Sequence, residues 1–295
     1  MTYLDLGMNE ISDISKLSGL TNLRVLHLPT NRISDISALS GLTKLEIVTL
    51  SFNDISDVRP LAGLTNIFML NLFQNNISDI SPLKRLTNLT DLDLTGNEIS
   101  DISVLPEFKT LYTLGLSYNK ISDINVLSKL KTLQQLTLAD NKISDISALS
   151  GLTNLYALSL DYNGLNDISA LSSLNKLILL RLSFNNISDI DALKNLTKLE
   201  KLDLSVNELS DIDALGNLTN LTDLDLTTNG ISDIQVLRQL TKLQQLHLAS
   251  NQITDITPLS EHANLKELTL LDNELNAESQ KVIEKLEARG AIVVD

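Results

Sequence analysis

The sequence predicts an α/β solenoid, with parallel strands stacked on one face, short 3-10 turns on the other, and a helix–strand cap at the C-terminal end. Three observations predict it. Asparagine recurs every 22 residues without a slip: Asn9, Asn31, Asn53, Asn75, Asn97, Asn119, Asn141, Asn163, Asn185, Asn207, Asn229, Asn251 and Asn273. A fixed period of roughly 20–50 residues is the mark of a stacked-repeat architecture. Within each unit the apolar spacing switches from two to three. After Asn273 the repeat wording gives way to an amphipathic stretch.

The strand comes first in each unit. Leu stands eight, five and three residues before the Asn, as in Leu89, Leu92 and Leu94 before Asn97. The last two alternate with polar residues, which is the burial pattern of a short strand. The Asn follows at the turn that leaves the strand, where its amide has both donors and an acceptor for backbone groups that burial obliges to pair. Ile or Leu then falls two places on, Ile or Val five on, and Leu eight and eleven on, as in Ile77, Ile80, Leu83 and Leu86. A spacing of three suits a 3-10 turn. Four residues after twelve of the Asn stands an Asp, from Asp13 to Asp255, at the expected start of that turn, where Asp is a preferred N-cap. Stacked carboxylates also suggest a calcium column. Each Asp has only Ser and apolar neighbours, however, so the expectation is scaffold and no metal.

The ends differ. Met1 occupies a Leu column and Leu4 and Leu6 follow in register, so the chain opens in mid-array with no polar capping unit. Repeat arrays need capped ends. The expectation is a fragment whose cap and targeting signal lie upstream; the alternative is a complete or engineered chain that covers its raw edge by self-association. At the far end, Val282, Ile283 and Leu286 fall at helical spacing among Glu and Lys, Gly290 stops the helix, and Ala291–Val294 reads as a last strand. Asp295, 22 residues after Asn273, is read as lying in ladder register. The domains are therefore thirteen repeats over 1–275 and a cap over 276–295.

The consensus L-x-x-L-x-L-x-x-N-x-I-S-D-I-x-x-L-x-x-L-T-N resembles the leucine-rich repeat, and its S-D-I-S and S-G-L-T-N wording is most similar to the internalin-type repeats of bacterial surface proteins. The resemblance covers 1–275. It implies a right-handed horseshoe with the parallel sheet on its concave face and 3-10 turns on its convex face. It also implies a protein partner on the concave face, and a secreted or cell-surface location with the signal missing from this chain. A shared scaffold names no ligand.

Composition excludes several classes. The formal charge is −14, and removing the twelve column Asp leaves −2, so the acidity belongs mainly to the scaffold. It argues against nucleic acid or an anionic membrane as partner. There is no Cys and hence no disulfide framework or thiol chemistry. No segment approaches the roughly 18 apolar residues of a membrane span. No phosphate loop or metal-ligand spacing is present, and the histidines His27 and His247 share a column ten strands apart, ~48 Å along a sheet. No nucleophile has a base within reach. The chain is expected to be no enzyme and to need no cofactor.

Function is therefore sought on the outward columns around each strand, seven, six, four, two and one before the Asn. Nine of the ten aromatic residues lie there, and Phe108 replaces a core Leu. Exposed rings are the usual anchors of protein interfaces, although strands also favour aromatics for packing. Repeats 3 to 9 span ~29 Å of sheet, one standard footprint. The candidate partner-binding residues are Phe52, Phe68, Met69, Phe73, Tyr112, Tyr118, Tyr156, Tyr162, Leu179, Arg181 and Phe184. Beyond them Glu200, Lys201, Asp203, Asp223 and Asp225 form a charged stretch suited to steering a basic edge. The leading expectation is a non-enzymatic module that binds a protein. Its alternatives are a structural or engineered scaffold with no natural ligand, and a glycan-binding concave surface that uses the rings with Asn71 and Asp93.

Overall fold

The computed structural model describes residues Met1–Asp295, which form two compact units, Met1–Ile143 and Ser144–Asp295. The first contains seven strands: β1 Tyr3–Asp5, β2 Val25–His27, β3 Ile47–Thr49, β4 Met69–Asn71, β5 Asp91–Asp93, β6 Thr113–Gly115 and β7 Gln135–Thr137. They pair in parallel in chain order, each residue facing the one 22 positions on, as in Met69↔Asp91 and Asp91↔Thr113. The strands are only three residues long because the period-2 alternation lasts no longer than that in the sequence. Their central residue points into the core, where Leu26, Val48, Leu70, Leu92, Leu114 and Leu136 are buried.

Three backbone devices repeat with the sequence. The first is the asparagine. Asn53 Nδ2 donates to the carbonyls of Leu50 at 3.0 Å and of Leu28, one repeat earlier, at 3.0 Å, while its Oδ1 accepts the Ile33 amide at 2.9 Å. From Asn31 onward the ladder Asn thus closes its own turn and ties it to the preceding repeat, as the amide chemistry predicts, while Asn9 closes only its own turn. The second is the residue just before it. All thirteen have a positive φ, from +49° at Asp140 to +70° at Gly96. Only Gly96 has no Cβ to resist that conformation. The third is the column Asp. In all twelve cases its Oδ1 accepts the backbone N–H two residues on, at 2.8–2.9 Å. This corrects the expected N-cap. The cap position is the following Ile or Val, whose side chain is needed in the core, and the Asp reaches the first turn amide from one residue further back, except after Asp101, where the turn starts at Leu105 with Val104 as its cap. The 3-10 turns themselves, such as Ser81–Arg85, stand where the spacing of three places them.

The second unit repeats this build with β8 Ala157–Ser159, β9 Leu179–Arg181, β10 Lys201–Asp203, β11 Asp223–Asp225, β12 Gln245–His247 and β13 Glu267–Thr269. It ends in helix α1, Ala277–Glu287, and strand β14, Ile292–Val294. The Asn276 side chain caps α1 by accepting the Ser279 amide at 2.9 Å. The helix buries Val282, Ile283 and Leu286, the stripe read from the sequence, and Gly290 at φ +94° turns the chain into β14. The final register departs from expectation: Glu267 faces Ile292 and Thr269 faces Val294, a step of 25 residues instead of 22. Asp295 is therefore out of ladder register. An α-helix rises ~1.5 Å per residue and a 3-10 turn ~2.0 Å, so the helical cap spends extra residues to cross the same core. No helix is long and apolar enough to cross a membrane.

Candidate binding face

The five outward columns are not equivalent in the structure. Side chains of the strand columns stand on the sheet face. Those two before the Asn tuck under the edge of the turn, where Ser51, Ser117, Asp161, Ser183 and Ser205 are buried. That column is a half-inward lip, a correction to its reading as outward. The column immediately before the Asn projects from the left-handed turn and is exposed wherever it carries a ring.

The candidate side chains therefore fall into two rows in each unit, at opposite ends of the short strands. In the first unit Phe68 and Tyr112 stand just before β4 and β6, and Phe52 and Tyr118 just after β3 and β6. Phe68, Met69, Tyr112, Phe52 and Tyr118 are 37–55% exposed. Phe73, in the lip column, is half-buried and meets Phe52 edge to face, with ring centroids 4.9 Å apart and planes at 79°. In the second unit Tyr162 and Phe184 occupy consecutive left-handed positions and stack at 3.9 Å and 12°, while each remains more than 40% exposed. Tyr156 and Leu179 are half-buried and Arg181 is exposed. Ring pairs of this kind contribute about 0.5–1.5 kcal/mol beyond area burial, which holds these rings in place.

Between the rows the strand faces are polar except at Val25, Ile47, Met69, Ala157 and Leu179, and each unit has a shallow depression on them. In the second unit it has a volume of about 320 Å³ and is walled by Arg181, Lys201, Asp203, Asp223 and Asp225. Its two cations are paired within it, while Asp225 has no cation beside it. Arg181 Nε lies 3.1 Å from Asp161 and its Nη2 3.9 Å from Asp203, and Lys201 Nζ lies 3.5 Å from Asp223. Burial pushes the Asp203 carboxyl above its ordinary value, against the Ser205 hydrogen bonds, and Asp225 and Asp161 add repulsion. Of the charged stretch read from the sequence, Lys201, Asp203 and Asp223 are thus ion-paired, and Glu200 and Asp225 are not. In the first unit a depression of about 300 Å³ opens over Gly115 between Asp91, Asp93 and Thr137. Its one signal in the sequence is Gly115 at a strand position, where glycine marks a bulge or a close approach.

The three histidines are spread out. His27 and His247 each face a Thr hydroxyl on the next strand, at 3.0 and 3.3 Å. His262, 2% exposed, takes the place of a core Leu near the cap. The two His–Thr contacts correct the expectation that no hydroxyl has a base within reach, and neither pair has a carboxylate bonded to its imidazole to orient it.

Comparison with known proteins fits this architecture. The family model described as Leucine Rich repeats (2 copies) matches residues 1–41, 65–107, 109–151, 131–176, 175–215 and 197–239, and a single-repeat model matches 239–256. An internalin of Listeria monocytogenes strain 4b F2365 is 35% identical over 100% of this chain and 86% of its own, with a TM-score of 0.95. A leucine-rich repeat protein of Leptospira interrogans is 25% identical over 100% and 84%, with a TM-score of 0.83. The plant peptide hormone receptor RGFR1, solved in complex with RGF2, is 25% identical over 93% of this chain and 51% of its own, with a TM-score of 0.77. Comparison with curated protein sequences returns no match. The repeat, the fold and these likenesses agree, and the chain belongs to the leucine-rich repeat family with repeats of the internalin kind.

Proposed function

We propose that this chain is a non-enzymatic recognition module that binds a protein partner on its sheet face, with the exposed rings as anchors. One observation carries the reading: six aromatic side chains in rows at the two ends of the strands, with Met69 on β4, remain 37–55% exposed, and ring contacts already fix Phe52 on Phe73 and Tyr162 on Phe184. Large apolar rings on a water-facing surface are the feature that marks an interaction site. The internalin and receptor likenesses support the same class of function.

The test uses residues whose removal spares the core. Phe68, Tyr112 and Tyr118 in the first unit are exposed, so their Ala variants should melt like the parent, and Tyr162→Ala in the second should lose only the roughly 0.5–1.5 kcal/mol of its stack on Phe184. At a true anchor each should cost a partner ~2 kcal/mol, about thirtyfold in affinity. Lys84→Ala and Lys129→Ala, on exposed 3-10 turns, are the controls and should bind as the parent does. Partners captured from host-surface extracts by the parent and lost by the ring variants would support the reading. Identical partner sets for parent and ring variants would refute it.

A further inference from the structure

We propose that the depression over Gly115 is a receptor for one arginine side chain of the protein partner, its guanidinium held by the carboxylates of Asp91 and Asp93. This rests on the protein-binding reading above and names the chemistry of one anchor within it. Gly115 is the last residue of β6 and has no positive φ, so its backbone does not require glycine, and glycine weakens a strand. What its absent side chain provides is space. A Cβ there would sit 2.5 Å from Asp93 Oδ1 and 2.8 Å from Thr95 Oγ1, so the Asp93 carboxylate leans over the glycine into a depression of about 300 Å³. That is at the small end of ligand pockets, roughly 300–1,000 Å³, and suits a single long side chain.

The charge in this space is unbalanced. Asp93 Oδ1 accepts the Thr95 amide at 3.0 Å and Asp91 Oδ2 accepts the Thr90 hydroxyl at 2.7 Å. The other oxygen of each carboxylate accepts nothing from the protein, and no Lys, Arg or His lines the depression. The second unit supplies an internal control, because the strand sequence Asp-Leu-Asp occurs there too, as Asp223-Leu224-Asp225. The residue preceding Asp223 in the sheet column is Lys201, which pairs with it at 3.5 Å. The residue preceding Asp91 is Met69. The residue following Asp225 is His247, and the one following Asp93 is Gly115. At the first unit's copy of the motif a cation has thus been replaced by a thioether and a filled position by a gap. A planar guanidinium with its fork of donors fits two such carboxylates better than a point-charge ammonium does.

The experiment titrates the full ¹⁵N-labelled chain with N-acetyl-arginine amide and, in parallel, with N-acetyl-citrulline amide, which has the same shape without the charge. The expected result is saturable shifts of the Asp93, Gly115 and Thr137 amides with arginine, about tenfold weaker or more with citrulline, and fading as salt rises from low to high ionic strength. Asp91→Asn with Asp93→Asn should abolish them, and Asn keeps an acceptor for the Thr95 amide. Met69→Lys, which copies the second unit's own pairing, should abolish them independently should the double variant fold poorly. No saturable response to arginine, an equal response to citrulline, or unchanged binding in the variants would overturn the proposal. So would shifts produced by methyl glucoside and not by arginine, which would make the depression a sugar site. None of these outcomes depends on the ring variants. Loss of the partner on ring removal, together with silence toward arginine, would sink this inference alone.

Discussion

One ladder asparagine engages four backbone groups. Asn97 Nδ2 faces the carbonyls of Leu72 and Leu94 at 3.0 Å each and of Thr95 at 3.4 Å, and its Oδ1 accepts the Ile77 amide at 3.0 Å. Alanine there strands a buried amide and at least one carbonyl, at ~1–3 kcal/mol for each unsatisfied group. Asn97→Ala should therefore lower stability by about 3 kcal/mol or more in urea unfolding, and a loss under ~1 kcal/mol would mean that water replaces the side chain. The asparagine column is legible in the sequence because its chemistry admits no substitute, so it never varies. The left-handed residue before it is not legible. Phe52, Tyr118, Asp140 and Val206 fill that slot alike, and local preference would have reserved it for Gly or Asn. The candidate rings show the same limit. Their columns could be read, but that Phe73 tucks under the lip while Phe52 stands out follows from the turn's hand, which periodicity does not encode.

At the scale of the element, the turn that precedes the cap contains the residue most at odds with its surroundings. His262 is buried where the template has Leu, its Nε2 hydrogen-bonded to the Leu237 carbonyl at 3.1 Å and its Nδ1 without a partner. Burial holds its pKa below the ordinary 6.5. The nearby charges are Glu261, paired with Lys285 at 2.7 Å, and Arg289 at 3.8 Å from Glu261. The unfolded chain takes up a proton at the ordinary value and the folded chain only below it. Stability is therefore full above pH 6.5 and declines as pH falls from there toward the lowered folded value. The urea midpoint should drop between pH 7.5 and 5.5, and His262→Leu should flatten that slope. Parallel slopes in parent and variant would show that the ring is not responsible. The cap also marks where sequence reading stops. Its helix was plain from the stripe of Val282, Ile283 and Leu286, but the 25-residue step into β14 was not, because register there depends on helix rise and not on any residue in the repeat.

Across the whole molecule the column carboxylates act in concert. The turn amide and hydroxyl of the Ser two places on hold Asp13, Asp35, Asp101, Asp145 and Asp167 below their ordinary value of 3.8. At Asp57 the Arg59 guanidinium is the larger cause. These groups stabilise the fold when ionised, so their contribution is present above the ordinary carboxylate range and is lost as pH falls through 3.8 and below. In the His262→Leu background, the melting temperature should be flat from about pH 7 to 5 and fall steeply under about pH 4. Survival to pH 2 without loss would remove the column from the account of stability. The repeat-level fold was legible throughout because each unit is surrounded by copies of itself. The Gly115 notch was not, since its meaning lies in one departure from the template. The direction of the ladder has a further consequence. From Asn31 onward each Asn satisfies an amide of the repeat before it, and strand amides such as that of Leu72 donate forward to the next strand, at Asp93. A repeat is therefore completed only by its successor. On a ribosome adding ~5–20 residues per second, the next 22 residues arrive in about 1–4 s, far longer than the microseconds of local pairing. The nascent protein would then fold one repeat behind its own synthesis, with only its newest turn unfinished at any moment.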